Sequence, residues 1–273
     1  MPIASDASVV LVIVAMFVLM GIGVPIFLAI GMAALGGLWM AFGLHQAMID
    51  FTSFLWQSLN SFELVTIPLF VLAAMLVQES DVGDELFEFA RVWVGSTPNG
   101  LGVSVIITCA IFAGICGSSP VTAVTIGPIA LPALAREGYP DRQRGAMVAA
   151  GGTLGILIPP SVPLIIYGVL TQTSIGSLFV ATTIPGLTLA ALFAIYVMFF
   201  AGSRTRGQSF SWEQRMVALW RAFPVIILPL FIIGSIYFGL ITPTETGAVA
   251  AVYLLLLGLA RRRLTWPKIW RAA

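Results

Sequence analysis

The sequence is poor in charged residues. Only 9% of its 273 residues are Asp, Glu, Lys or Arg, whereas 59% are hydrophobic and the mean hydropathy is +1.03. A soluble domain carries about 25% charged residues, and a soluble chain this apolar would expose more hydrophobic surface than water tolerates. The composition therefore predicts an all-α integral membrane protein, because helices satisfy their own backbone hydrogen bonds in lipid.

Cysteine and histidine are also scarce. Cys109 and Cys116 lie within apolar sequence, and His45 is the single histidine. We interpret the cysteines as small packing residues, because no Cys/His cluster accompanies them. The sequence contains no phosphate-binding P-loop, zinc-protease or serine-hydrolase motif, so no enzymatic activity is predicted. A net charge of +1 gives no reason to expect a nucleic-acid partner.

Glycine and proline divide the long hydrophobic runs. The run over residues 9–43 would form a helix of about 50 Å, whereas the hydrocarbon core of a bilayer is about 30 Å thick. The run is therefore either two helices or one long, bent and strongly tilted helix, and the glycines and the proline at 21–25 favour a break near its middle. Over residues 79–95, apolar residues recur at helical spacing opposite three acids and an arginine. This pattern predicts an amphipathic helix lying on the membrane surface.

Two further runs are interrupted where a membrane helix would be continuous. Residues 100–134 are broken by a Gly/Ser/Pro segment at 114–120, which leaves two arms shorter than the roughly 20 residues of a span. This predicts a re-entrant helical hairpin. Residues 146–169 contain two adjacent prolines at 159 and 160, which remove two backbone donors and predict a discontinuous helix. Gly151 and Gly155, just before the prolines, indicate either close helix packing or flexibility.

Non-helical backbone inside a membrane indicates a binding site. An unpaired backbone group costs several kcal/mol in hydrocarbon, so such breaks persist where protein or a polar cavity satisfies the freed groups. In transporters they bind ions and substrates, whereas the alternative interpretation is a pair of packing kinks. No ionisable residue lies in 100–134, 146–169 or 175–201, which disfavours proton coupling and favours Na⁺ bound by neutral oxygens. We interpret Glu245, after Thr242, as a helix-capping residue.

The basic residues predict the orientation of the chain. Most of them lie in 136–144, 204–221 and 261–271, and two spans separate each successive pair of these segments. The positive-inside rule places all three in the cytoplasm, including the basic C-terminal tail. The hairpin then enters the membrane from the cytoplasmic side.

Long motifs around these breaks resemble the large membrane subunit of TRAP transporters. They are 114–123 (GICGSSPVTA), 132–139 (PALAREGY), 149–161 (AAGGTLGILIPPS), 163–168 (PLIIYG) and 241–248 (ITPTETGA). The resemblance implies a multi-span helical bundle with one re-entrant hairpin and one discontinuous helix, which is half of an inverted-repeat elevator transporter. It divides the chain into N-terminal scaffold helices with the amphipathic surface helix (1–98), a transport-domain half (99–203), and a basic cytoplasmic loop, two spans and an interfacial tail (204–273).

The resemblance also implies the function and its partners. We expect Na⁺-coupled import of small organic acids, such as C4-dicarboxylates, across the bacterial inner membrane. The expected partners are a small four-helix membrane subunit and a periplasmic substrate-binding protein. The residues implied to surround Na⁺ are Gly117, Ser118, Ser119, Thr122, Gly152, Thr153, Pro159, Pro160 and Ser161.

The sequence departs from the family pattern in two respects. Pro120 occupies a position at the tip where many relatives carry a small or β-branched residue. The family also has a second, inverted half with its own hairpin and broken helix, and this sequence contains one copy of each. An alternative hypothesis is therefore that the chain is a truncated or non-transporting membrane scaffold or assembly subunit.

Overall fold

The computed structural model describes residues 6–80, 82–201 and 208–272, and all regular structure in these ranges is helical. Two short 3₁₀ turns, Phe62–Val65 and Leu154–Ile156, accompany thirteen α-helices. The α-helices are α1 (Asp6–Gly21), α2 (Ile26–Phe42), α3 (Leu44–Leu59), α4 (Thr66–Glu79), α5 (Val82–Val94), α6 (Gly100–Cys116), α7 (Ser119–Arg136), α8 (Asp141–Thr153), α9 (Val162–Thr171), α10 (Ile175–Phe200), α11 (Trp212–Tyr237), α12 (Pro243–Ala260) and α13 (Trp266–Ala272). The predicted all-α class is confirmed.

The chain separates into two compact units, Met1–Ser61 and Phe62–Ala273. In the first unit, α1 packs on α2 and α2 packs on α3. The predicted break near the middle of the first hydrophobic run is confirmed, because α1 ends at Gly21 and α2 begins at Ile26. Gly23 lies between them with φ +91°, a left-handed conformation that glycine adopts without strain. The division into scaffold and transport domains stays a prediction.

Four helical segments in the described ranges are long and apolar enough to cross a bilayer. They are Phe62–Glu79, Ile175–Phe200, Trp212–Tyr237 and Pro243–Ala260. Only 11% of the apolar window of Ile175–Phe200 is buried within the protein, so its remaining surface is suited to lipid. The two arms of the hairpin, α6 and α7, lie outside this set.

The predicted amphipathic helix is α5, but another part of the protein covers its apolar face. Leu86, Phe87 and Ala90 are buried, and α5 packs against α6 and α11. Hydrophobic periodicity predicts a helix with one apolar face but does not say whether lipid or protein covers that face. The sequence pattern predicts that lipid covers the apolar face of α5, whereas in the structure α6 and α11 contact it.

The start of α12 confirms the capping role of Glu245. The Glu245 N–H donates to the Thr242 hydroxyl at 3.3 Å, and the Thr242 N–H donates to the Glu245 carboxylate at 2.7 Å. This reciprocal pair satisfies two backbone donors that a helix start leaves without partners.

Asn99 connects the open end of the hairpin to the end of α10. Its Nδ2 donates to the carbonyls of Val197, Met198 and Ala201 at 3.3, 3.1 and 3.1 Å. The Tyr139 hydroxyl, which follows α7, donates to the Asn99 Oδ1 at 3.5 Å. The last carbonyls of a helix have no partner within that helix, so Asn99 supplies the donors that the C-terminus of α10 lacks.

Replacing Asn99 with alanine is expected to lower the free energy of unfolding by about 1–2 kcal/mol, because buried carbonyls lose their donor. Unfolding in mixed detergent micelles measures the change. Gln172→Ala is the matched control, since Gln172 has a similar φ of +54° but is exposed. Equal losses in the two variants would contradict the proposed role of the Asn99 side chain.

Candidate ion site at the junction of two helix breaks

The predicted hairpin is formed by α6 and α7, which pack against each other, and its re-entrant placement in the membrane stays a prediction. The chain reverses through Gly117 and Ser118. Gly117 has φ +62°, and its N–H donates to the Ala113 carbonyl at 3.0 Å to close the last turn of α6. A residue with a Cβ is strained in this left-handed conformation, which explains glycine at the tip.

The predicted discontinuous helix is formed by α8 and α9. Between them lie the 3₁₀ turn Leu154–Ile156 and a non-helical segment that ends at Ser161. Ser161 is fully buried, and its hydroxyl donates to the Ile156 carbonyl at 2.7 Å. The break is therefore a defined structure with an internal hydrogen bond.

The hairpin tip and the helix break pack backbone to backbone. The Val162 N–H donates to the Gly117 carbonyl at 3.3 Å. A Cβ on Gly117 would lie 2.4 Å from the Pro160 carbonyl oxygen, and a Cβ on Gly155 would lie 2.7 Å from the Ser118 carbonyl. Because neither position has space for a side chain, glycine allows the two segments to meet. Two features that the sequence indicates separately thus form one junction.

Both helices that begin at the junction begin in the same way. Ser118 precedes α7 and Ser161 precedes α9, with φ/ψ of −139/122° and −138/120°. Each helix has a proline in its first turn, and neither serine hydroxyl caps its own helix. The positive ends of the α7 and α9 dipoles therefore lie beside the C-terminal carbonyls of α6. Such a junction can bind a cation through carbonyls and an anion through helix N-termini.

A cavity of about 240 Å³ lies beside the junction. It is lined by residues 116–121 of the hairpin, by Val162 and Pro163 of α9, and by Val71, Ala74 and Met75 of α4. The described part of the chain contains no group of three or more His, Cys, Asp or Glu residues placed to bind a metal ion. A cation in this cavity would be bound by neutral hydroxyl and carbonyl oxygens, which suit a hard cation.

The hydroxyl groups at the junction differ in how they are satisfied. The Thr122 hydroxyl donates to the Ser118 carbonyl at 2.9 Å, and it lies 3.2 Å from the Cys116 sulfur. The Ser119 hydroxyl is buried and has no hydrogen-bond partner within the protein. Leaving a buried hydroxyl unpaired costs about 1–3 kcal/mol. A ligand that contacts the Ser119 oxygen would remove this cost.

The structure brings most of the implied site residues to one place. Gly117 of the tip lies against Pro160 and Ser161 of the break, and Ser118 and Ser119 lie against Gly155 just before it. These contacts join segments that are about forty residues apart in the sequence.

Three of the implied residues lie at the margin of the junction. Gly152 faces α7, since a Cβ there would lie 3.4 Å from the Ser119 carbonyl oxygen. The Pro159 carbonyl oxygen lies beside Gly114 of α6, 3.7 Å from where its Cβ would be. Thr153 is exposed, and its hydroxyl donates to the Ala150 carbonyl at 2.7 Å, so it contributes no free donor to the junction.

Gly155 is the residue that sequence reasoning did not assign to the site. Its spacing from Gly151 indicated close packing or flexibility, and the structure confirms close packing. A Cβ on Gly151 would lie 2.7 Å from the Cys109 sulfur of α6, while Gly155 contacts the hairpin tip. Both cysteines are free and buried, which agrees with their interpretation as packing residues.

The family model described as "Tripartite ATP-independent periplasmic transporter, DctM component" matches residues 13–273 of the chain. The chain belongs to the DctM family. The resemblance seen in the motifs is thereby confirmed. The DctM family consists of multi-span membrane permeases of bacterial TRAP systems and not of enzymes.

Three curated DctM relatives illustrate the range of substrates in the family. The chain is 36% identical over 245 residues to the isethionate TRAP transporter permease protein DctMQ of Oleidesulfovibrio alaskensis, covering 87% of this chain and 38% of the relative. It is 36% identical over 256 residues to the C4-dicarboxylate TRAP transporter large permease protein DctM of Rhodobacter capsulatus, covering 86% and 57%. It is 32% identical over 250 residues to the ectoine TRAP transporter large permease protein TeaC of Halomonas elongata, covering 90% and 58%.

The chain thus spans about half the length of the curated DctM relatives that it matches. The names of these relatives give different substrates, so membership of the DctM family does not fix the substrate of this chain.

Proposed function

We propose that this chain is the N-terminal part of a Na⁺-coupled TRAP permease and that Na⁺ binds at the junction of the hairpin tip and the helix break. The observation that carries the proposal is the backbone contact between Gly117 and the segment 160–162. Two stretches of non-helical backbone meet at a small cavity, and the buried hydroxyl of Ser119 beside them has no partner. In a low-dielectric environment, a bound cation is a physical reason for such an arrangement to persist.

The proposed ligands are oxygens from both segments. Ser118, Ser119 and Thr122 contribute from the tip, Ser161 contributes from the break, and backbone carbonyls near Gly117 and Pro160 complete the set. Na⁺ is favoured over H⁺, because no carboxylate or histidine in the described residues lines the cavity. A proton-coupled site usually needs a group that can be protonated.

The proposed substrate is a small organic anion, such as a C4-dicarboxylate. The N-termini of α7 and α9 present partial positive charge beside the cavity, and such charge favours a carboxylate. The proposed partners are the small four-helix TRAP subunit and a periplasmic binding protein. The proposed orientation has the C-terminal tail on the cytoplasmic side of the inner membrane, because the positive-inside rule favours that side for arginine-rich segments.

Sodium binding can be tested on the chain itself. At a sodium concentration ten times the Kd, we expect the free energy of unfolding to rise by about 1.4 kcal/mol relative to potassium at equal ionic strength. The double variant Ser118→Ala/Ser119→Ala is expected to lose this difference. Ser104→Ala is the matched control, because its hydroxyl donates to the Gly100 carbonyl within α6. A wild-type chain that does not distinguish Na⁺ from K⁺ would contradict the sodium proposal.

Transport is tested separately in proteoliposomes. We expect sodium-dependent uptake of labelled C4-dicarboxylate when this chain is combined with the remaining permease segment, the small subunit and the binding protein. If sodium binds to the chain but no combination supports uptake, the hypothesis of a non-transporting membrane scaffold replaces the transport proposal.

A further inference from the structure

A second, larger cavity is walled by α6, α8 and α10. It has a volume of about 930 Å³ and is partly open to the surroundings. Its wall is mostly apolar, with Leu189, Leu192 and Phe193 of α10 facing Ala146 and Ala150 of α8. We call this cavity the α8–α10 groove. The ion site described above does not include any of its lining residues.

The length of the α8–α10 groove matches one leaflet of a bilayer. Its α10 wall extends from Leu189 to Phe200, which at 1.5 Å per residue is about 16 Å. The hydrocarbon core of a bilayer is about 30 Å thick, so the groove spans about half of it. Its polar end, at Arg142 and Gln143, belongs to the arginine-rich segment 136–144, which the positive-inside rule places in the cytoplasm.

The polar end of the groove carries a free positive charge. Arg142 lines that end, it is exposed, and no described residue forms an ion pair or hydrogen bond with it. The neighbouring acid, Asp141, is paired with Arg144. Arginine binds phosphate oxygens through parallel hydrogen bonds, and basic groups at the cytoplasmic interface attract anionic lipids. The apolar groove is long enough for an acyl chain in one leaflet, and Arg142 at its end has the charge that a phosphate group needs. Together they are complementary to an anionic phospholipid.

We propose that the α8–α10 groove binds one anionic phospholipid of the cytoplasmic leaflet. An acyl chain lies along α8 and α10, and the headgroup phosphate contacts the Arg142 guanidinium. The large exposed surface of α10 allows the lipid to enter sideways from the bilayer. This inference goes beyond ion-coupled transport and does not depend on it.

Native mass spectrometry of the purified chain tests the proposal with equal amounts of phosphatidylglycerol and phosphatidylcholine. We expect one retained phosphatidylglycerol per chain. Arg142→Ala is expected to weaken phosphatidylglycerol binding about fivefold without changing phosphatidylcholine binding, which is the effect of one arginine near an anionic lipid. Arg136→Ala is the matched control, because Arg136 is exposed, lies in the same basic segment and does not line the groove.

Ala146→Phe tests the apolar part of the groove. Its added ring would occupy the space of the acyl chain, so retention of both lipids should fall. Equal losses in Arg142→Ala and Arg136→Ala would show diffuse charge attraction and overturn the proposal. Absence of a retained lipid on the wild-type chain, or full retention by a folded Ala146→Phe chain, would also overturn it. Circular dichroism establishes that each variant is folded.

Discussion

Replacing Gly117 with alanine is expected to lower the free energy of unfolding by about 3 kcal/mol and to abolish the response to sodium. Two costs add at this position. The left-handed backbone, with φ +62°, costs about 1–2 kcal/mol for a residue with a Cβ. The new methyl group would also lie 2.4 Å from the Pro160 carbonyl oxygen, and such overpacking costs about 1–3 kcal/mol. The tip would move away from the break, and the proposed ligands would separate.

Two other glycines distinguish these costs. Gly138 has φ +80° with open space around it, so Gly138→Ala carries the backbone strain alone and should cost about 1 kcal/mol without affecting sodium binding. Gly155→Ala carries the steric clash with Ser118 and should also abolish the sodium response. Unfolding in micelles, with and without sodium, measures all three variants. If Gly117→Ala behaves like Gly138→Ala, the contact between the tip and the break is not required.

Replacing Glu85 with alanine is expected to lower the free energy of unfolding by about 2–3 kcal/mol. Its carboxylate pairs with Arg261 and, at 2.8 Å, with Arg263, and its side chain is only 12% exposed. Arg261 also donates to the Arg221 carbonyl at 2.9 Å, so the cluster joins α5 to α11 and to the end of α12. Removing the acid leaves two partly buried arginines without a counter-charge. The arginines keep some contact with solvent, so the loss is smaller than for a fully buried pair.

Glu88 is the matched control for Glu85. It lies one turn later on α5 and pairs with Arg91, but its side chain is 51% exposed. An exposed pair three residues apart on a helix contributes about 0.5 kcal/mol or less, and added salt screens it. Glu88→Ala should therefore change the unfolding midpoint little. Similar losses for Glu85→Ala and Glu88→Ala would show that the arginine cluster does not hold these helices together.

Local features of the structure followed from local sequence. The hairpin and the discontinuous helix are set by glycine and proline, whose effects on the backbone act within a few residues. The capping role of Glu245 depends on its spacing of three residues from Thr242. The membrane class follows from composition, because an apolar chain needs an apolar solvent. Each of these inferences uses interactions between residues that are close in sequence.

Contacts between segments far apart in the sequence could not be predicted from local patterns. Periodicity gave α5 an apolar face, but only the structure assigned α6 and α11 as its partners. The sequence offered no signal that Asn99 would supply donors to α10, because these residues are about one hundred positions apart. Thr153 was grouped with the site by motif, yet the rotation of α8 about its axis leaves Thr153 exposed. A helix rotation of this kind depends on all neighbouring packing contacts.

The sequence by itself determined that this is a membrane protein, at which positions its helices break, and to which family it belongs. These properties depend on residue types and on spacings of a few positions, both of which can be seen in the sequence. Only the tertiary structure decided that the two breaks meet, that Gly155 is part of their contact, and that Arg142 stands at the mouth of an apolar groove. Such facts depend on the distance between segments far apart in the sequence, and that distance is set by packing across the whole fold.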